Sequence, residues 1–278
     1  MIVLKNITKK FGNAAALLNV SLRIEPKELV CLIGGAGSGK STLLSLLIAA
    51  DTTTSGSVEV DGVDLTIVPP PALQLYRRRV GMMFQDRKLL PQRTVSENLS
   101  FPLEVTGSPE RLIQKRVPAL LAYLGLLEKK QAFPHNLSLF EQAKLALGRA
   151  IIHKPLIFMA DEPTAGLTAQ EARTVLSLLK EIHASGVSVI IASRDATLAS
   201  TLNARTVTLE RGRLVSDTQT IKEKTDMAAT ESPPSTNHEK IEELLTREKV
   251  VRDAQKPVKI PERMNAMSKV KITSIGAL

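Results

Sequence analysis

The chain has 278 residues, 43% of them apolar, enough for one large domain or two small ones with a sizeable core, which excludes a fibre or a tail. A formal charge of +9 points to an anionic partner or to a solubilising surface, while 3% aromatic content and no Trp argue against nucleic acid, whose single strands need stacking platforms. The one cysteine, Cys31, excludes an internal disulfide, and no apolar run reaches the ~18 residues that span a bilayer.

The chain opens on "IVLKNITKKF" and "VSLRIEP", which alternate apolar and polar residues as half-buried antiparallel strands do. This opening does not read as a signal peptide, so a reducing cytoplasm is the expected place, with any membrane attachment supplied by another component. "ELVCLIGG" is a continuous apolar run, expected as a buried parallel strand in which Cys31 is a small hydrophobe. "KSTLLSLLIAA" reads as the next helix and "SGSVEVDG" as a short strand ending in a turn. A helical insert is expected over about residues 86–155, its second helix introduced by Ser108 as a cap and Pro109 at the first helical position. "LIFMADEP" is a further buried strand, and the helix after it starts on the capping box Thr168-x-x-Glu171. "VSVIIASRD" repeats the buried-strand pattern, and "RTVTLERGRLVSD" reads as a closing hairpin around Arg211 and Gly212.

Strands alternating with helices predict an α/β core over residues 1–217. From residue 218 to 278 the composition becomes a polar, proline-bearing linker, then a short charged helix over 239–255, then a basic end whose last stretch "KVKITSI" is strand-like.

Two motifs carry chemistry. "GGAGSGKST", Gly34, Gly35, Ala36, Gly37, Ser38, Gly39, Lys40, Ser41 and Thr42, matches G-x-x-x-x-G-K-[ST] between a buried strand and a helix. Glycines let backbone N–H groups wrap phosphates, the helix N-terminus adds partial positive charge, Lys40 reaches the β- and γ-phosphates, and Ser41 binds Mg²⁺. "LIFMADEP" ends a buried strand in two carboxylates, placing Asp161 near the metal and leaving Glu162 to polarise an attacking water. Gln85 is a candidate sensor of γ-phosphate and metal, and Phe11 a candidate stacking partner for adenine, although a solvated glutamine and a strand-ending core residue are the plainer readings.

These pieces in this order, with "LS" and "EQ" of "LSLFEQ", resemble the nucleotide-binding subunits of ABC transporters over about residues 1–217. Within them, "FQDRKLLPQRTVSENLSFPLEVTG" is similar to the corresponding stretch of the FtsE branch, the cell-division ATP-binding subunits. The resemblance implies a P-loop NTPase core with a mixed sheet and helices on both faces, an antiparallel N-terminal β-subdomain and a helical subdomain. It implies ATP and Mg as ligands, ATP-driven pairing with a second copy or another ABC ATPase, and Ser138 reaching the γ-phosphate held by the partner subunit. It also implies an integral membrane partner of the FtsX kind and a peripheral position on the cytoplasmic face of the membrane.

Several positions depart from the family pattern. Leu139 and Phe140 replace two glycines whose bare backbone allows close approach to phosphate, and Phe140, the bulkier, is expected to interfere most. Arg194 stands where the family has a histidine that contacts the γ-phosphate, and a guanidinium is never a neutral acceptor. Thr168 replaces an aspartate and keeps the helix cap; Lys144 replaces an arginine. Binding elements are intact while closing elements have changed, so the expectation is tight MgATP binding with weakened hydrolysis. The ATPase subunit of a lipoprotein, peptide or drug exporter and a catalytically dead ATP-binding scaffold are the alternatives.

Overall fold

The computed structural model describes residues 1–218, so the expected linker, the charged helix over 239–255 and the strand-like 269–275 lie outside the described residues. Two sheets organise the chain. In the first, β1 (Ile2–Phe11) lies between its hairpin partner β2 (Ala14–Ile24) and β4 (Ser55–Val60), all antiparallel, and the two-residue β5 (Val63–Asp64) extends the far edge. Register runs from Ile2 opposite Ile24 to Phe11 opposite Ala14. The turn closing β4 is Asp61 and Gly62, both at positive φ, as a two-residue hairpin loop requires.

The second sheet runs β10-β9-β3-β8-β7-β6. Its members are β3 (Leu29–Ile33), β6 (Val80–Met83), β7 (Ile157–Asp161), β8 (Ser188–Ser193), β9 (Arg205–Glu210) and β10 (Arg213–Asp217). All neighbours are parallel except β9 and β10, which form the expected hairpin around Arg211 and Gly212.

Every residue of β3, β7 and β8 is buried because both sheet faces are covered. On one face Val30 and Leu32 pack with Ile7, Leu17 and the leucines of α1 (Lys40–Leu47). On the other, Leu29, Cys31 and Ile33 meet residues of α3 (Val95–Val105), α4 (Glu110–Tyr123), α5 (Leu139–Ile151), α6 (Ala169–Ala184) and α7 (Thr197–Leu202). A strand read alternately by two cores needs apolar side chains at each position, which is the origin of the unbroken run "LVCLI". Burial pushes the Cys31 thiol up to about 12, in line with a packing role.

Four elements were not foreseen. α2 (Pro70–Arg77) opens inside a run of three prolines, β6 contains Gly81, β5 has only two residues and α7 only six, so none carries a strong periodic signal. The expected cap of α4 is corrected. Pro109, at ψ 139°, is itself the cap residue and the helix starts one residue later at Glu110. Ser108 makes no cap bond; its hydroxyl lies 3.3 Å from that of Thr106. The Thr168 and Glu171 box on α6 forms as expected, and unforeseen ones form at Thr94 with Glu97 and at Ser138 with Glu141.

The segment between β6 and α3 is tied down rather than left as a loose loop. The fully buried Asn98 accepts from the Leu90 N–H at 2.9 Å and donates to the Leu90, Arg93 and Thr94 carbonyls. Arg149 on α5 donates to the Lys88 and Arg87 carbonyls at 2.6 and 2.9 Å. Asn98→Ala leaves these half-buried partners without their bonds, and we expect it to lower unfolding stability by about 1–3 kcal/mol, measured by urea denaturation at unchanged m-value.

Candidate functional site

β3 ends at Ile33, and the chain turns through Gly34–Gly39 into α1. Two glycines are dictated by close approach. A Cβ on Gly34 would lie 2.3 Å from the Leu209 carbonyl oxygen, and one on Gly39 would lie 2.6 Å from that of Ala16, at φ 103°. The turn is thereby pressed between β2 and β9. α1 begins with no side-chain cap and no acidic residue in its first turn, so its leading N–H groups and positive dipole end stay unopposed by side chains.

The Lys40 side chain folds back over this turn, its ammonium donating to the Gly34 and Gly35 carbonyls at 2.6 and 3.0 Å and to the Ser38 hydroxyl at 3.4 Å. Burial lowers the Lys40 pKa, against the opposing pull of Glu162 and Asp161. Both carboxylates stand at the end of β7. Asp161 is buried and its Oδ1 has no hydrogen-bond partner; the buried Glu162 Oε1 has none either. Desolvated carboxylate oxygens facing an ammonium-lined turn suit a cation. Among the described residues no group of three or more His, Cys, Asp or Glu could hold a metal alone, so any metal here must complete its shell with hydroxyl, amide and ligand oxygens.

Glu162 has φ 47°, a left-handed conformation rare for a residue with a Cβ, and its N–H donates to the Ala192 carbonyl at 2.9 Å. Strain of this kind re-aims a side chain at the end of a strand. Its Oε2 lies 3.5 Å from the Ser193 hydroxyl and 3.4 Å from the Arg194 main-chain nitrogen, and Arg194 Nε is 3.4 Å from Oε1. The Glu162 side chain is 12% exposed and that of Arg194 58%.

A cleft of about 280 Å³ collects these groups. It is lined by Ala36 to Thr42 of the turn and by Gln85, Asp161, Glu162 and Arg194, with Phe11 and Ala16 at the edge. Gly34 and Gly35 do not line it; they meet Lys40 through their carbonyls from behind. Phe11 is half exposed, with the Lys9 ammonium 4.8 Å from its ring centroid and the ammonium itself held by Asp51 at 2.6 Å. Ala16 was missed; the run of three alanines after Phe11 was its only signal.

Ser138 lies apart from the cleft lining, at the start of α5, where its hydroxyl accepts from the Glu141 N–H at 3.2 Å. Of the two residues after it, Leu139 is 50% exposed and rests beside Gly166, where a Cβ would be 3.6 Å from its Cδ1. Phe140 packs against the core, and the Lys144 ammonium sits 4.8 Å from its ring centroid. Successive helical positions diverge by about 100°, so Phe140 shares the inward stripe of Ala143 and Leu147, and Leu139 is the one that projects.

Similarity to known proteins follows the same segments. Residues 17–165 match the family "ABC transporter". The cell division ATP-binding protein FtsE of Mycobacterium tuberculosis (strain H37Rv) is 39% identical over 221 residues, 79% of this chain and 96% of that protein. FtsE of Streptococcus pneumoniae serotype 2 (strain D39) is 36% identical over 218 residues, 78% of this chain and 95% of its own. The methionine import ATP-binding protein MetN of Haemophilus influenzae (strain 86-028NP) is 39% identical over 220 residues, 77% of this chain and 64% of its own. Among solved structures, the dimeric post-hydrolysis state of the ATP-binding cassette MJ0796 bound to ADP and Pi superposes with TM-score 0.73 at 31% identity, covering 78% of this chain and 97% of that one. The match to the family spans residues 17–165 and the FtsE relatives are covered over 95% and 96% of their own length, so the chain belongs to the ABC transporter ATP-binding family.

Proposed function

We propose that the chain is a MgATP-binding subunit of the FtsE type, peripheral on the cytoplasmic face of a membrane, which pairs on ATP and passes that change to an FtsX-like integral membrane partner. The observation that carries the reading is the convergence on one cleft of residues from separate segments: Phe11, Ala36–Thr42, Gln85, Asp161, Glu162 and Arg194. In this reading the turn and Lys40 hold the phosphates, Phe11 stacks on adenine, and Glu162 takes up the proton of the attacking water. Ser41, Gln85 and Asp161 hold Mg²⁺, which screens phosphate charge. Ser138 serves the site of the opposite subunit. FtsE relatives matched over 95% and 96% of their own length favour this over a transporter ATPase, the second reading, which the MetN likeness supports.

Hydrolysis is proposed to be slow. The Arg194 guanidinium engages the carboxylate that must accept the proton, and the projecting Leu139 occupies a place where bare backbone allows phosphate to close in. The ion pair is solvent-exposed on the arginine side, so its grip is modest.

Steady-state phosphate release and a nucleotide-binding titration test the proposal together. Glu162→Gln should lower turnover by about 10²-fold or more with ATP affinity retained, as expected for loss of a general base. Turnover unchanged by that substitution removes Glu162 from the chemistry. Arg194→His should raise turnover by up to about fivefold, the equivalent of the ~1 kcal/mol ceiling for an exposed ion pair. Tight binding with no turnover in either protein favours the scaffold. Isolation with a small membrane subunit bearing a large extracellular loop, rather than a long permease, distinguishes the division complex from a transporter.

A further inference from the structure

A second cavity, of about 480 Å³, lies between α4 and the C-terminal end of α5, away from the nucleotide cleft. Leu112, Leu120, Ile151 and Ile152 give it an apolar lining, and Lys115, Arg116 and Lys154 surround them with positive charge. Among the described residues none of these three cations is paired with a carboxylate; the only polar contact of the Arg116 side chain is to the Ile152 carbonyl at 3.3 Å. At the margin the Tyr123 hydroxyl donates to Glu181. An apolar groove ringed by uncompensated cations has the recognition chemistry of an acidic amphipathic segment.

The same chain carries such a segment. "HEKIEELL", residues 238–245, places Ile241, Leu244 and Leu245 at i, i+3 and i+4, with Glu239, Glu242 and Glu243 among them. Residues 219–237 connect it to the end of the described domain, and at ~3.4 Å per extended residue this linker reaches about 65 Å. A domain of this size has a radius of gyration of only about 17 Å, so the groove is within reach. Tethering at that length gives an effective concentration on the order of millimolar, which favours the chain's own segment over a free one of the same chemistry.

We propose that residues 238–245 dock in the α4–α5 groove of their own chain, with their leucines and isoleucine on Leu112, Leu120 and Ile151 and their glutamates facing Lys115 and Lys154. The docked segment fixes the C-terminal extension to the helical layer. This inference does not depend on ATP turnover and stands or falls separately from it.

The test uses the full chain carrying Ala119→Cys in the groove and Thr246→Cys beside the segment; the native Cys31 is fully buried. Treatment with a short bismaleimide at low protein concentration should give an intramolecular cross-link within a monomer. Lys115→Glu with Lys154→Glu should abolish it, and adding Glu242→Lys with Glu243→Lys should restore it. The two lysines are exposed, so a loss reflects charge rather than unfolding, and the restoration confirms that. No cross-link, or one insensitive to charge reversal, overturns the proposal. Cross-links found only between copies give the groove to a second chain. Binding of phosphatidylglycerol vesicles that the lysine reversals abolish, without any cross-link, gives it to a lipid surface; both outcomes also overturn it.

Discussion

The arrangement of the cleft depends on one electrostatic constraint: an ammonium and two carboxylates held together at the end of an apolar sheet. Asp161 and Glu162 stand at the end of a strand whose other residues are all buried hydrophobes, and Lys40 begins a helix that buries its four leucines. Desolvation opposes each charge, and the mutual attraction offsets part of the cost, as the opposing influences on Lys40 record. Lys40 compensates further by donating to carbonyls of its own turn. The buried Asp161 Oδ1 has no such remedy within the protein, and Glu162 Oε1 has only the solvent-exposed Arg194 at 3.4 Å, so a ligand that brings a cation to these oxygens relieves a penalty already built into the fold.

Sheet topology supplies the convergence. β3, β8 and β7 are adjacent and parallel, so their carboxyl ends open on the same side, the usual place for a ligand in an open α/β sheet. Ladder bonds continue past the strands themselves: Gly34 N–H donates to the Ser193 carbonyl and Glu162 N–H to that of Ala192. The glycine turn, the acidic pair and the Ser193–Arg194 corner are thereby fixed to one another by main-chain bonds, which holds Glu162 in its left-handed conformation.

How much of this was legible in the sequence varied with the kind of signal. The buried strands were readable because a strand covered on both faces must be apolar throughout, and "LVCLI" and "IFMAD" obey that rule. The glycine turn was readable because backbone approach restricts it to glycine at Gly34 and Gly39. The direction of Phe140 was not, since whether a residue at the start of a helix faces the core depends on how that helix is docked. Asn98 escaped notice because its importance is entirely in its partners, which come from a turn up to eight residues earlier. Ser108 misled because a serine before a proline fits a cap pattern that the Pro109 backbone takes over itself.

Arg149 and Asn98 grip the segment after Gln85 from two different helices. Arg87 in turn donates to the Ala165 carbonyl just past β7 at 3.1 Å, and its N–H closes a turn back onto the Phe84 carbonyl. The stretch that carries Gln85 is thus moored at once to α3, to α5 and to the loop that follows the acidic pair, so the glutamine's place at the cleft is set by three neighbours rather than by the loop's own sequence.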